Sequence, residues 1–282
     1  MPKNLSVEGK EFVLLGMQRK GTAVYRGQGV YLRLGPPQSI SEDLSYHRRM
    51  EASGYPVAKI LSEGTLDDTA YFVEESLGDR SFTALFAGEW EAGAIADSSF
   101  DALVKMTMRF AYAQLTTAAG SPSKDALAEA IRLASLKKEI GEHAKALQKE
   151  FDAVAERLQT YPSVVTHGDL NPSNMYPQGV IDLEDSFEGP LGFDVVSVLM
   201  TQEWFPDGAY EFVSKYRMSE AQKFQCIAQC DALYARAGFP PLSHAYRDLS
   251  FCRAVWLCAG MNEWPNIQKW RFEKFKKEFL HE

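Results

Sequence analysis

Apolar residues alternate with polar ones along the first quarter of the chain and recur at helical spacing along most of the rest, which predicts a mixed α+β architecture. Residues 11–15 (EFVLL), 22–26 (TAVYR) and 30–35 (VYLRLG) read as strands in hairpin order. In the third, Val30, Leu32 and Leu34 share one face and Tyr31 and Arg33 the other. Residues 56–61 (PVAKIL) and 70–75 (AYFVEE) add two strands, with EGTLDDT as their turn, so a five-stranded lobe is complete near residue 74. Between the third and fourth strands, ISEDLSYHRRMEASG reads as a helix, with Ser41 as N-cap, Gly54 as stop, and Leu44, Tyr46, His47 and Met50 facing inward.

From residue 83 the period is helical. Asp97 or Ser98 caps a helix running to about Ala119, and SPSKDA opens another. Leu127, Ile131, Leu136, Ile140, Ala144, Leu147, Phe151, Val154 and Leu158 predict one long or once-broken amphipathic helix, interrupted at Gly141. Residues 203–282 read as helical and rich in aromatics, among them Trp204, Trp256, Trp264 and Trp270. The change of period places a boundary between a lobe of residues 1–78 and a mainly helical lobe of residues 79–282.

One stretch, residues 164–185, breaks both patterns. Val164 and Val165 read as a buried strand, His167 to Asn174 as a loop held irregular by Gly168 and Pro172, and Met175 to Ile181 as a hairpin turning at Pro177, Gln178 and Gly179. Such a hairpin brings Asn174 close to Asp182. With Asp169 they offer the oxygen donors that suit magnesium, a hard cation that keeps waters for phosphate to replace. The order is also that of phosphoryl transfer by protein kinases: an Asp orients the attacking hydroxyl, an Asn five residues on holds one metal, and a downstream Asp holds another. Asp, Asn, Gly and Pro are ordinary turn formers, but turn chemistry does not demand that spacing. Reading IDLED as the metal motif of a glycosyltransferase leaves HGDLNPSN unexplained and expects a doubly wound nucleotide domain first.

HGDLNPSN, followed by IDLED and GPLGFDV, resembles the aminoglycoside phosphotransferase and choline kinase superfamily. The resemblance implies a protein-kinase-like two-lobed fold and transfer of the γ-phosphate of ATP, with Mg2+, to a small-molecule hydroxyl. Asp169 is then the catalytic Asp, and His167 beside it either a base or a hydrogen-bonding brace, the brace being the better fit to chemistry that depends on positioning. Asn174 and Asp182 become metal ligands with Glu184 as an addition, and Asp194 supports the catalytic loop as well as the start of its own helix. In the first lobe, the loop from Gly16 to Gly21, carrying Arg19 and Lys20, covers the nucleotide phosphates, and Arg33 stands where protein kinases carry a phosphate-binding Lys. Either Glu42 or Asp43 holds Arg33. Backbone groups near Glu74, Glu75 and Ser76 meet adenine, and Gly78 lets the chain change direction. Glu203, Trp204 and Asp207 are candidates for the acceptor-pocket rim, and their acids would help a cationic acceptor. The acceptor classes implied are polyols, amino sugars, aminoglycosides and amino alcohols, with a leaning to the sugar-kinase side. Arg33 and the ambiguous helix acid keep a second reading open, a nucleotide-binding regulator that has lost phosphotransfer.

Composition narrows the partners. The formal charge of -8 and the lack of a basic stripe argue against nucleic acid. No apolar run is long enough to span a bilayer, and MPKNLSVEGKEF lacks the apolar centre of a secretory signal, so a cytoplasmic location is expected. Cys226 and Cys230 lie one helical turn apart, but no second close pair accompanies them, so all four cysteines, with Cys252 and Cys258, are expected as buried free thiols.

Overall fold

The computed structural model of the chain describes residues 2–17, 21–206, 216–259 and 265–280. Its first part is a six-stranded antiparallel sheet: β1 (Asn4–Val7), β2 (Lys10–Met17), β3 (Ala23–Arg26), β4 (Val30–Gly35), β5 (Ile60–Leu66) and β6 (Thr69–Glu75), in the order β1-β2-β3-β4-β6-β5. The first strand escapes the sequence pattern because it is short; a tight turn at Glu8 (φ 51) and Gly9 (φ 74) folds it onto β2. The fifth runs through Leu66, so the predicted seven-residue turn shrinks to Asp67 and Asp68, with Asp67 at φ 51. Gly64 sits opposite Tyr71 in that pairing, and a Cβ there would fall 2.7 Å from the Tyr71 hydroxyl, so this glycine makes room for a cross-strand aromatic and marks no turn. Phe12, Tyr25, Leu32, Leu34 and Val73 fill the sheet's own core.

Helix α1 (Pro37–Ala52) lies between β4 and β5. Its N-cap is Pro36 and not Ser41, since the ring of Pro37 presets the first-turn φ and needs no N–H partner. Its buried stripe is Ile40, Asp43, His47 and Met50; Leu44 and Tyr46 are half-buried. An acid and a histidine on the inner stripe show that this face borders a polar site as well as the core.

The remainder is helical: α2 (Phe82–Glu91), α3 (Asp97–Leu115), α4 (Lys124–Ala130), α5 (Leu133–Ile140), α6 (Ala144–Arg157), α7 (Phe193–Met200), α8 (Glu220–Arg236), α9 (Leu242–Cys258) and α10 (Pro265–Phe275). The N-cap of α3 is Ala96, with neither Asp97 nor Ser98 in that place, and the helix ends at Leu115, short of Ala119. Ser123 caps α4 by accepting from the Ala126 N–H. The long amphipathic run from 124 to 157 breaks twice, at Arg132 (φ 60) and at Gly141 (φ 51), where the sequence predicts at most one break. At Arg132 tertiary contacts win: its guanidinium reaches Asp185 at 2.6 Å and covers the Trp256 ring at 4.7 Å. All four cysteines are free and buried, as expected. Among the described residues no helix is long and apolar enough to cross a membrane.

Two strands, β7 (Ser163–Thr166) and β8 (Phe187–Pro190), pair antiparallel and bracket the unusual stretch. The segment after α1 ties it to the sheet: the Tyr55 hydroxyl donates to the Val165 carbonyl at 2.8 Å and the Val180 N–H to the Pro56 carbonyl at 2.7 Å.

Candidate active site

Strand β7 delivers the loop from His167 to Asn174. Gly168 sits at φ 81, and a Cβ on it would lie 1.9 Å from the Asp185 carbonyl oxygen. Gly168→Ala therefore combines a left-handed backbone with a backbone clash and is expected to cost about 2–5 kcal/mol of stability, read from the urea midpoint. Loss of less than about 1 kcal/mol would mean that the loop shifts freely.

The loop is pinned from behind by Asp194. One carboxylate oxygen accepts from the His167 N–H at 2.9 Å and the Gln114 side chain at 2.7 Å; the other accepts from the Gly168 N–H at 3.1 Å. Burial pushes the Asp194 pKa up, and the N–H donors of His167 and Gly168 work against that rise. Asp194 does not cap its own helix: the N-cap of α7 is Gly192, with no side-chain cap. His167 is fully buried, donates from Nε2 to the Ile181 carbonyl at 2.8 Å and packs against Phe110. Its Nε2 is thereby committed to a carbonyl, and the ring ties the loop to the hairpin behind it.

The hairpin forms in minimal length, with a bridge between Met175 and Val180 and the Ile181 N–H donating to the Asn174 carbonyl at 3.0 Å. Asn174 in turn donates from Nδ2 to the Asp169 carbonyl at 3.0 Å, committing its nitrogen and presenting the amide oxygen as its acceptor atom. Asp182 holds a left-handed backbone (φ 71), a conformation that Asp tolerates better than most residues.

Arg33 links the sheet to this segment. Its Nε donates to Glu74 at 3.1 Å and its Nη1 to Asp182 at 3.0 Å. Burial opposes its charge, but Glu74 and Asp182 outweigh burial and hold it above its ordinary pKa. Of the two helix acids, Asp43 is 5% exposed and lines a small recess with Arg33, Glu74 and Asp182, while Glu42 faces solvent and accepts from Gln38. Glu74, expected for its backbone, contributes its side chain. The N–H groups of Glu75 and Ser76 donate to the Lys59 carbonyl at 2.9 Å and the Gly29 carbonyl at 3.0 Å. Glu184 is half-buried, and burial first, then Asp182 and Asp185, push its pKa up to about 7.

A cavity of about 250 Å³ opens over these groups. Asp169, Asn171, Asn174 and Asp182 form one side; Thr201, Gln202, Phe205 and Tyr216 form another; Arg253, Trp256 and Arg271 close it. Arg253, on α9, is fully buried and donates to the Asp169 carboxylate, to the Gly168 carbonyl at 2.9 Å and to the Thr201 hydroxyl at 3.2 Å. The Trp256 ring lies 4.2 Å from its guanidinium, with Arg132 also over that ring. Sequence reasoning passed over Arg253, although it carries a signal: a lone cation in the apolar run SFCRAVWLC must be buried with a partner.

Two of the three residues predicted for the pocket rim are among the described ones. Glu203 is ion-paired with Lys223, and Trp204 is buried in the core, stacked on Phe279 at 6.4 Å; neither lines the cavity. Lys20, Asp207 and Trp264 lie outside the described residues.

No curated protein matches this chain. Solved structures do. A thermostable mutant of aminoglycoside phosphotransferase APH(4)-Ia, in a ternary complex with ADP and hygromycin B, is 12% identical, with a TM-score of 0.59 over 95% of this chain and 92% of that one. The GDP complex of an aminoglycoside 2'-phosphotransferase is 14% identical, with a TM-score of 0.59 over 94% and 90% of the two chains. A Ralstonia eutropha chain described provisionally as an aminoglycoside phosphotransferase is 16% identical, with a TM-score of 0.63 over 97% and 93%. At these identities the likeness carries the fold, a two-lobed kinase-like one. The model of the phosphotransferase enzyme family matches residues 20–223, most of the chain and all of the stretch from 164 to 185. By that match this chain belongs to the phosphotransferase enzyme family.

Proposed function

We propose that this protein is an ATP-dependent kinase of a small-molecule hydroxyl, with residues 1–78 as its nucleotide-binding lobe and residues 79–282 as its catalytic and acceptor lobe. The observation that carries the reading is the convergence of Asp169, Asn174 and Asp182 on one cavity large enough for a small acceptor. The complexes of the fold neighbours with ADP, GDP and hygromycin B support a nucleotide and a small acceptor.

Asp169 accepts a hydrogen bond from the acceptor hydroxyl and aims its oxygen for in-line attack; Arg253 holds the carboxylate in place. Because the transition state of phosphoryl transfer is loose, orientation contributes more than proton removal. The amide oxygen of Asn174 and the carboxylate of Asp182 are hard donors that fit magnesium, with Glu184 as an auxiliary. Magnesium of this kind is commonly held by one or two protein oxygens together with the nucleotide phosphates. Magnesium, when bound, neutralises charge on the phosphates. Arg33 spans from β4 to Asp182 and keeps the two lobes in register around the nucleotide. Asp43 lies on the same recess and is favoured over Glu42 as the helix acid of that cluster. The placement of all three central side chains favours activity over a regulator that has lost it.

Calorimetry tests this assignment. ATP affinity is expected to fall about 10-fold or more when magnesium is chelated, and likewise for Mg-ATP in Asp182→Ala. Equal affinity in both comparisons would remove Asn174 and Asp182 from the metal site.

A further inference from the structure

Arg253 holds Asp169, and Arg253 is itself held by a stack of side chains that leads back to the same segment. Its Nη1 donates to the Gly168 carbonyl at 2.9 Å, and its Nη2 to the Asp169 carboxylate and, at 3.2 Å, to the Thr201 hydroxyl. Its Nε–H is buried and has no acceptor among the described residues, so on that side no hydrogen bond sets the plane of the guanidinium. The Trp256 ring sets it, with its centroid 4.2 Å from the guanidinium carbon. Trp256 is 5% exposed and carries a second cation, the guanidinium of Arg132 at 4.7 Å. Two like charges so close to one ring repel each other, and they stay because each has its own carboxylate: Asp169 for Arg253, and Asp185, at 2.6 Å, for Arg132. The Asp185 carbonyl lies against Gly168, where a Cβ would meet it at 1.9 Å. The contacts from Asp169 thus run through Arg253, Trp256, Arg132 and Asp185 and return to the loop they left.

The backbone of Arg132 reflects this arrangement. It sits at φ 60 between α4 and α5, a left-handed conformation that a residue with a Cβ adopts at a cost and keeps only where its surroundings fix it. Trp256 lines the cavity, whereas Arg132 does not, so Arg132 reaches the reaction only through its neighbours. Resting on the kinase reading above, we propose that Arg132 and Trp256 are positioning residues of phosphoryl transfer. The stack fixes the plane of the Arg253 guanidinium, and that plane aims the Asp169 carboxylate at the acceptor hydroxyl. Displacing a reacting group by about 1 Å costs on the order of 100-fold in rate, so side chains two and three contacts away from the hydroxyl carry measurable catalytic weight.

The test uses the full chain and follows ADP release from Mg-ATP, with water as the acceptor and with added sorbitol, glucosamine, kanamycin or choline. Turnover is expected to fall about 10-fold in Arg132→Met and about 30- to 100-fold in Trp256→Leu, with the KM for ATP within about 2-fold of the parent. Trp256→Phe keeps an aromatic face and should recover most of that loss. In an Arg253→Lys background, Arg132→Met should add less than about 2-fold, because the path to Asp169 is already cut. Parental turnover in Arg132→Met, or a full additional loss in the Arg253→Lys background, overturns the proposal. So does a Trp256→Leu protein that shows only a raised KM for the added acceptor with an unchanged water reaction, since Trp256 is then an acceptor contact. A second readout is independent of turnover. The Nε–Hε NMR signal of Arg253, identified by its loss in Arg253→Lys, is expected to be shifted upfield by the indole and to exchange with water at least about 5-fold faster in Arg132→Met. An unshifted signal, or one that Arg132→Met leaves unchanged, overturns the proposal. If Trp256→Leu does not fold, Arg132→Met, Trp256→Phe and this signal decide. Magnesium-dependent ATP binding, measured by calorimetry on the same protein, separates the two readings. Its absence removes the kinase assignment, and the NMR signal then decides whether the stack orients Arg253; its presence with parental turnover in Arg132→Met removes only the positioning role.

Discussion

Asp169→Asn is expected to fold, to bind Mg-ATP as the parent protein does, and to lose about two to four orders of magnitude in turnover. The substitution keeps the shape of the side chain and removes its charge. An amide oxygen still accepts one hydrogen bond, but the amide nitrogen now competes with the Arg253 donor that held the carboxylate. The acceptor hydroxyl thus loses both its strongest partner and the fixed position of that partner. Turnover is read from acceptor-dependent ADP release, with circular dichroism and nucleotide calorimetry on the same sample. Retention of near-parental turnover would show that Asp169 is not the group that positions the hydroxyl. Loss of nucleotide binding along with turnover would place the residue in the phosphate site instead.

The second large effect is structural. Asp194→Ala should lower stability by about 3–5 kcal/mol, because it leaves three buried donors, the N–H groups of His167 and Gly168 and the Gln114 side chain, without their common acceptor. A stranded buried donor costs roughly 1–3 kcal/mol, and these three lie within one small volume, so local rearrangement recovers part of the sum. Asp194→Asn retains one acceptor oxygen and is expected to fall between the alanine variant and the parent. Urea unfolding followed by tryptophan fluorescence supplies the measurement. A loss below about 1 kcal/mol in the alanine variant would mean that the loop from His167 to Asn174 is held by something other than this carboxylate.

Much of this molecule was legible before folding because the relevant signals are local. Alternation in VYLRLG and AYFVEE marks two central strands, and the same two-residue period places Arg33 opposite Val30, Leu32 and Leu34. Asp169, Asn174 and Asp182 fall within one loop and one tight hairpin, so their meeting depends on turn chemistry that the sequence carries directly. The break at Gly141 is legible for the same reason.

What the tertiary structure decided are pairings between residues far apart in the chain. Arg33 finds Glu74 across 41 positions and Asp182 across 149, and Arg253 finds Asp169 across 84. Periodicity states which face of a helix is apolar, but it does not state which distant element that face meets. Asp43 turned inward and Glu42 outward only when α1 settled against the sheet. Trp204 went to the core and Glu203 to Lys223 because α10 and α8 were there to receive them. Arg132 left the helix that its neighbours favour, since an ion pair with Asp185 and a place over Trp256 outweigh a propensity difference of under about 1 kcal/mol. Sequence alone thus determined the central strands, the helical period of the second part and the order of Asp169, Asn174 and Asp182 along the chain. The charge of the cavity they face was decided by packing, because each buried ion must find whichever opposite charge or carbonyl the fold brings within reach.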